Sequence, residues 1–271
     1  MKRILVAGPG YVGLPLADAL AKDHHVIGLQ RSSLSHEGME SISCDLAKGI
    51  PQNLPACDEV YFCLAPKSRD LSRYRSTYFD GVKNLIKGLP QVPQKLFFIS
   101  STSVYGQKDG ELVDETMAVP ELASPYGRIL LEAEQWVLDH VEKGFVIRFG
   151  GIYGPGRTRM VHRFKSGEEK LTKKPIFTNR IHRSDCVRAL LHLRQDQLAP
   201  GIYNGVDSEP ADKNQMIRWA CDQWQIPLPD KSEEDLPQNK RVSNGKLLNS
   251  GFSFLYPSFR EGYSELIQDE G

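Results

Sequence analysis

The feature that most constrains this chain is the run Gly8-Pro9-Gly10-Tyr11-Val12-Gly13, which fits G-x-G-x-x-G. A short apolar stretch of strand character, Ile4 to Ala7, precedes it. From about Val12 the residues Leu14, Ala17, Leu20 and Ala21 recur at helical spacing, with Pro15 in the first turn, where proline is tolerated. Strand, glycine turn and helix therefore follow one another directly, the context in which the motif has physical meaning. Gly8 permits the tight turn, Gly10 lets a pyrophosphate approach bare backbone, and Gly13 lets helix and strand pack closely. The helix N-terminus adds a partial positive charge. The run is thus expected to hold a dinucleotide through Gly8, Gly10, Tyr11, Val12 and Gly13, against the competing reading of a purely structural turn.

The rest of the chain repeats the alternation. Strands are predicted at Val26 to Leu29, Val60 to Leu64, Leu96 to Ser100, Val146 to Phe149 and Ile202 to Asn204, with helices around Val82 to Leu89 and Tyr126 to Val141. Such an order gives an α/β fold, a doubly wound parallel Rossmann sheet. Residues 1–153, with 179–205 returning to them, are expected to form this domain. The Arg- and Lys-rich stretch 154–178 and the Pro- and charge-rich 206–271 would form a smaller C-terminal lobe for substrate.

Composition limits the partners. Thirty-four basic residues balance 34 acidic ones, so no global field draws the protein to nucleic acid or an anionic membrane. The five cysteines are scattered without the short spacings of a zinc site or the density of a disulfide scaffold. They read as reduced thiols of a cytoplasmic protein. No signal peptide fits before the first strand, and no apolar run is long enough to span a bilayer. His24-His25 lies far from other ligand-like spacing, so no metal site is expected.

The end of the second strand discriminates NAD from NADP, because an acid there accepts hydrogen bonds from the adenosine ribose. Here Gln30, Arg31, Ser32 and Ser33 occupy that stretch instead. A guanidinium with neighbouring hydroxyls suits a 2′-phosphate that an acid would repel, so NADP is favoured, with NAD as the alternative.

Four segments carry a resemblance to a known family. Phe98-Ile99-Ser100-Ser101-Thr102-Ser103-Val104-Tyr105-Gly106 resembles the strand-five motif of extended short-chain dehydrogenases/reductases, the NAD(P)-dependent sugar-nucleotide epimerases and dehydratases. Ser124-Pro125-Tyr126-Gly127-Arg128 resembles the start of their catalytic helix, Arg148 to Gly156 their strand-six turn, and Ile181 to Val187 a later substrate-lobe segment. The compact length is similar to that of a bacterial subgroup. The resemblance implies hydride transfer between a substrate carbon and the nicotinamide, with Tyr126 exchanging the hydroxyl proton and Ser101 holding the substrate oxygen. It also implies cofactor contacts at Asp45, Leu46, Ala65 and Pro66, a substrate contact at Thr102, and a homodimer paired through neighbouring helices. Apolar residues on a helix equally describe an internal face, so the homodimer stays open.

One position departs from the pattern. Four residues after the tyrosine, on the same helical face, the family places a lysine; here it is Leu130. A phenol of ordinary pKa is almost entirely protonated at neutral pH, and leucine supplies no charge to change that. Arg128 should point elsewhere, two residues along the helix. Lys67, the helix N-terminus or the cofactor's own charge are the remaining sources of stabilisation. Arg157, Arg159, Arg163, Lys165, Lys170, Lys173, Lys174, Arg180 and Arg183 form a basic stretch that could clamp a substrate diphosphate or merely solvate the lobe. His182 reads either as a substrate contact or as a hydrogen-bonded structural histidine. Two functions follow: an NADP-dependent oxidoreductase acting on a hydroxylated sugar of the nucleotide-linked class, or a non-catalytic NADP(H)-binding sensor or scaffold, which Leu130 favours.

Overall fold

A computed structural model describes residues 1–32, 35–68, 70–231 and 239–269. The chain divides into two compact units: Met1–Val104, Ala123–Arg148 and Val187–Tyr203 form the first, and Tyr105–Leu122, Phe149–Cys186 and Asn204–Gly271 the second.

A seven-stranded parallel sheet organises the first unit. Its first five strands are β1 (Arg3–Ala7), β2 (His25–Gln30), β3 (Met39–Ser43), β4 (Glu59–Phe62) and β5 (Lys95–Ser101), followed by the strands Gly144–Phe149 and Gly201–Gly205. Across the sheet the order is Gly201–Gly205, Gly144–Phe149, β5, β4, β1, β2, β3. Strand order reverses at β1, which pairs in parallel with both β2 and β4. Crevices at such reversals, beyond the carboxyl ends of the strands, are where open α/β sheets bind ligands. Gly8 stands at that place.

The strands form because their apolar runs are buried on both faces. Ile4, Leu5, Val6 and Ala7 are each 0% exposed, as are Val60, Tyr61, Phe62, Leu96, Phe97 and Phe98. An aromatic row then fixes the pairing. Tyr61 stacks on Phe97 at 4.5 Å, Phe97 on Phe145 at 5.0 Å, and Phe145 on Tyr203 at 6.4 Å. A slip of one residue would turn every ring to the opposite face. β3 escapes sequence reading because its five residues, MESIS, offer little apolar alternation; only Met39 is buried there. Its place is set by Met39, whose sulfur lies where a Cβ on Gly28 of β2 would be, 2.6 Å away.

The first unit also carries the helices α1 (Gly13–Ala21), α2 (Leu71–Arg75), α3 (Gly81–Gly88) and α4 (Pro125–His140), with most of the helix Arg183–Leu193. A π-helical stretch, Ser76–Asp80, joins α2 to α3. α4 starts sharply because Ser124 caps it, its Oγ accepting the Gly127 N–H at 3.1 Å, and Pro125 fills the first helical position. Its buried face contains Glu134, 2% exposed, which accepts from Arg148 Nη2 at 2.7 Å and Arg148 Nε at 3.1 Å. Ser100 Oγ on β5 donates to the same carboxylate. A second buried acid, Glu59, stands at the opposite end of the sheet, where Lys2 and Arg194 reach it at 2.7 and 3.2 Å. Burial opposes its charge, but the hydrogen bonds from these two cations outweigh it and hold the carboxyl below its ordinary pKa.

The strands of the second unit are short, in parallel pairs Gly151–Tyr153 with Arg180–His182 and Glu111–Val113 with Lys240–Val242, and the antiparallel pair Phe177–Thr178 with Ala211–Asp212. The helices Arg159–Lys165, Lys213–Trp224 and Phe259–Asp269 accompany them. Tyr153, Val161, Phe164, Met216, Ile217, Phe259, Tyr263 and Leu266 gather in its core. Asp185 is wholly buried and accepts the backbone N–H groups of Leu255 and Tyr256, both at 2.8 Å. All five cysteines are free. Among the described residues no helix is long and apolar enough to cross a membrane.

The Glu134 cluster gives a stability test. Arg148→Met leaves a buried carboxylate with the Ser100 hydroxyl alone and should cost about 3–5 kcal/mol. Removing both charges, in Glu134→Leu with Arg148→Met, should recover most of that loss. Urea unfolding midpoints of the two variants check the expectation.

Candidate functional site

The glycine turn is built as its sequence demands. Gly8 has φ +90°, and a Cβ there would meet Leu64 Cδ2 at 2.9 Å and the Cys63 carbonyl carbon at 3.0 Å. A Cβ on Gly13 would collide with the Gly8 carbonyl oxygen. Gly10 differs from both: the nearest atom to its Cβ position is the Gly8 oxygen, 4.0 Å away. Two glycines therefore serve packing, and the third leaves bare backbone beside open space. The turn is held by Gly8 N–H to Leu29 O and Gly10 N–H to Gly8 O, both 2.8 Å. α1 begins without a side-chain cap and without an acid in its first turn. Leu14 and Leu16 N–H already donate to the Gly10 and Val12 carbonyls and Pro15 has no N–H, so attraction for an anion rests on the positive end of the helix dipole, with no acid beside it to offset it. These residues fit the diphosphate of a dinucleotide. Val12 is buried and Tyr11 half-buried within the turn.

The other expected cofactor residues lie at the carboxyl ends of neighbouring strands. Gln30 ends β2; Arg31 and Ser32 follow it, exposed, while Ser33 lies outside the described residues. Asp45, after β3, turns its carboxylate onto the Ala47 N–H at 3.2 Å, and Leu46 is 2% exposed with its carbonyl accepting from Asn84 at 2.8 Å. Ala65 and Lys67 are exposed and Pro66 half-buried in the segment after β4.

Ser101 is the last residue of β5, and Thr102 opens the 3₁₀ turn Thr102–Val104. Ser101 Oγ accepts the Ser103 N–H at 3.2 Å, which leaves its own hydrogen to donate elsewhere. Tyr126 stands in the first turn of α4. Gly127 lets this helix start approach the turn: a Cβ there would meet the Ser103 carbonyl oxygen at 2.9 Å. α4 is continuous, so Tyr126, Leu130 and Glu134 share one face at four-residue intervals. Leu130 is 0% exposed. Arg128 is exposed and donates from Nε to the Ala123 carbonyl at 3.3 Å.

An aromatic pair that reaches Tyr126 through one of its rings went unforeseen in the sequence. The Tyr74 ring meets Tyr126 edge-on at 5.1 Å, and Tyr78 packs on Tyr74 at 4.8 Å. Burial, followed by the charge and hydrogen bond of Tyr74, pushes the Tyr78 phenol above its ordinary pKa. Both lie on the helical run through α2 and the π-helical stretch, four residues apart. That spacing was their only signal, and π-helical turns are frequent at functional sites.

In the second unit, Arg157 and Arg180 line a cleft of about 680 Å³ together with Arg159, His162, Arg163 and Tyr153. Arg157 Nη1 donates to the Ile152 carbonyl at 3.3 Å, and Arg180 Nη1 to Tyr263 Oη at 3.1 Å. Arg163 is paired with Glu169. His182 does not line this cleft. It is 1% exposed, lies 4.0 Å from the Tyr256 ring and 3.4 Å from Glu265 Oε2, and burial lowers its pKa despite the carboxylate. Beside Arg180, Asp207 is 2% exposed, and burial pushes its carboxyl up to about 8, against the opposing pull of the Glu209 N–H and of Arg180.

The model of the NAD dependent epimerase/dehydratase family matches residues 4–204. The chain belongs to this family. It is 26% identical over 276 residues to protein YeeZ of Escherichia coli K12, covering 95% of this chain and 97% of that one. A Methylobacillus flagellatus structure, assigned provisionally as an NAD-dependent epimerase/dehydratase, superposes with a TM-score of 0.82 at 31% identity, covering 99% and 98% of the two chains. UDP-glucuronic acid 4-epimerase of Bacillus cereus, solved with NAD, shares the fold at a TM-score of 0.74 and 21% identity, over 96% and 95% of the chains.

Asp207 makes the stability of the protein depend on pH. Its folded pKa of about 8 lies above the ordinary 3.8. The folded state therefore keeps a proton that the unfolded chain has released, and the contribution falls as pH rises across that window. Asp207→Asn should melt progressively higher than the parent between pH 5 and pH 8, with the difference levelling above that. Thermal melts across the range measure it; a constant difference would show an ordinary carboxylate.

Proposed function

We propose that the chain is an NADP(H)-dependent oxidoreductase of epimerase/dehydratase type, acting on a hydroxylated sugar of the nucleotide-linked class. The observation that carries the reading is the glycine turn at the strand-order reversal, with Gly10 facing open space. Gly8, Gly10, Tyr11, Val12 and Gly13 would hold the diphosphate, and Arg31 with Ser32 and Gln30 the 2′-phosphate end. Asp45, Leu46, Ala65 and Pro66 would flank the remainder. When bound, the nicotinamide gives or takes a hydride at a substrate carbon. Tyr126 would exchange the proton of the reacting hydroxyl, and Ser101 would donate a hydrogen bond to its oxygen, with Thr102 beside it. The NAD-bound fold relative acts on a UDP-sugar, which supports the substrate class. The basic cleft of the second unit supports it as well: Arg157 and Arg180 would receive a phosphate-bearing portion of the substrate. His182 would act behind this cleft as a packed support.

Leu130 favours a second reading, a cofactor-binding protein without turnover, because a fully buried leucine brings no cation to the face of Tyr126.

Gly10→Ala should melt as the parent does, since its Cβ meets open space, yet lose NADPH binding. Arg31→Ala should weaken NADPH about 10- to 100-fold, as expected for a lost charge-assisted hydrogen bond, and leave NADH unchanged. Tyr126→Phe should keep the cofactor and abolish any absorbance change at 340 nm produced by UDP-sugars. Calorimetry and absorbance separate the outcomes: parent protein that binds no nicotinamide nucleotide defeats the proposal, and binding without turnover on any sugar nucleotide moves it to the second reading.

A further inference from the structure

We propose that Ser43 and the Asp18–His36 pair are positioning residues for Arg31, and that they set how strongly the protein distinguishes a 2′-phosphorylated dinucleotide from an unphosphorylated one. The inference rests on the NADP(H) reading above.

Arg31 is the first residue past β2 and is exposed, so burial does not hold its main chain in place. Two contacts tie it down on one side. Ser43 Oγ, at the end of β3, donates to the Arg31 carbonyl at 3.0 Å, and the Cys44 N–H donates to the Gln30 carbonyl at 2.7 Å. The β2–β3 ladder, whose last matched pair is Gln30 with Ser43, thereby continues by one step into Arg31. On the returning side the chain is tied to the helix. His36 Nε2 stands 2.5 Å from Asp18 Oδ1 on α1, and the His36 carbonyl accepts the Met39 N–H at 3.3 Å as β3 begins. Gly38, at φ +76°, allows the chain to pass Ala21: a Cβ on it would lie 3.4 Å from the alanine's.

Arg31 is therefore fastened to β3, and His36, where the chain returns toward β3, is fastened to α1, the helix that follows the glycine turn. A guanidinium on a fastened main chain loses less freedom when it takes a phosphate, and the saving appears only with a ligand that has the phosphate. Neither Ser43 nor His36 touches the glycine turn, so affinity for the unphosphorylated dinucleotide should not depend on them. The Asp18–His36 pair is partly exposed, with side chains 52% and 30% accessible, and an effect of about two- to fivefold is the scale for such a pair.

The test is calorimetric titration of the full chain with NADPH and with NADH, for the parent, Arg31→Ala, Ser43→Ala, His36→Ala and His36→Gln. Ser43→Ala and His36→Ala should each weaken NADPH about two- to fivefold and leave NADH where it was. His36→Gln keeps a donor for Asp18 and should retain most of the parent's preference. If Arg31→Ala abolishes the preference while Ser43→Ala and His36→Ala leave it intact, the inference is overturned and the NADP(H) reading stands. Equal weakening of both nucleotides would also overturn it, as general loosening rather than positioning. A parent protein with equal affinity for the two nucleotides would overturn the NADP(H) reading and the inference together.

Discussion

A carboxylate with no access to water governs this molecule's candidate site. Glu134 is reached by Arg148 from one strand and by Ser100 from the next, so α4 is bound to two adjacent strands through one group. The charges could not be left singly in that interior, and each fixes the position of the other. Two turns back along α4 stands Tyr126, and one residue past Ser100 stands Ser101. The two residues proposed for proton exchange and oxygen binding are thus carried by the same elements that the buried pair clamps. Gly127 completes the arrangement by removing the one side chain that would hold the helix start away from the Ser103 carbonyl.

What was legible in the sequence was whatever had a local cause. The glycine turn could be read because each glycine answers a separate steric demand, and the first, second, fourth and fifth strands because burial on both faces writes an unbroken apolar run. β3 has no such run and owes its place to Met39 covering Gly28. Glu134 and Arg148 lie fourteen positions apart, and in a sequence each looks like a solvated surface charge; only the fold shows that they meet in the interior. Tyr74 and its neighbour Tyr78 were hidden for a related reason, since the contact of Tyr74 with Tyr126 joins helices distant in the chain. Short strands of two or three residues in the second unit leave no periodicity to detect.

Leu130 bears on how the family's chemistry is read in this chain. Its side chain is enclosed, on the face shared by Tyr126 and Glu134, so that face is apolar between a phenol and a neutralised carboxylate. A lysine at this position would need either an opening toward solvent or a partner. In the structure the ring of Tyr126 instead meets an aromatic companion, Tyr74, edge-on.

The row of rings Tyr61, Phe97, Phe145 and Tyr203 has a consequence for how the protein comes apart. Each inner ring stacks on a neighbour at either side, so no strand of the four can peel away without breaking contacts that belong to the next. Partial opening at this part of the sheet would sacrifice nearly as much as full opening. Amide hydrogens of these strands should accordingly exchange with solvent as one cooperative block, at the rate of whole-domain unfolding, whereas β3, held at its edge by a methionine and a few polar contacts, exchanges on its own, faster clock.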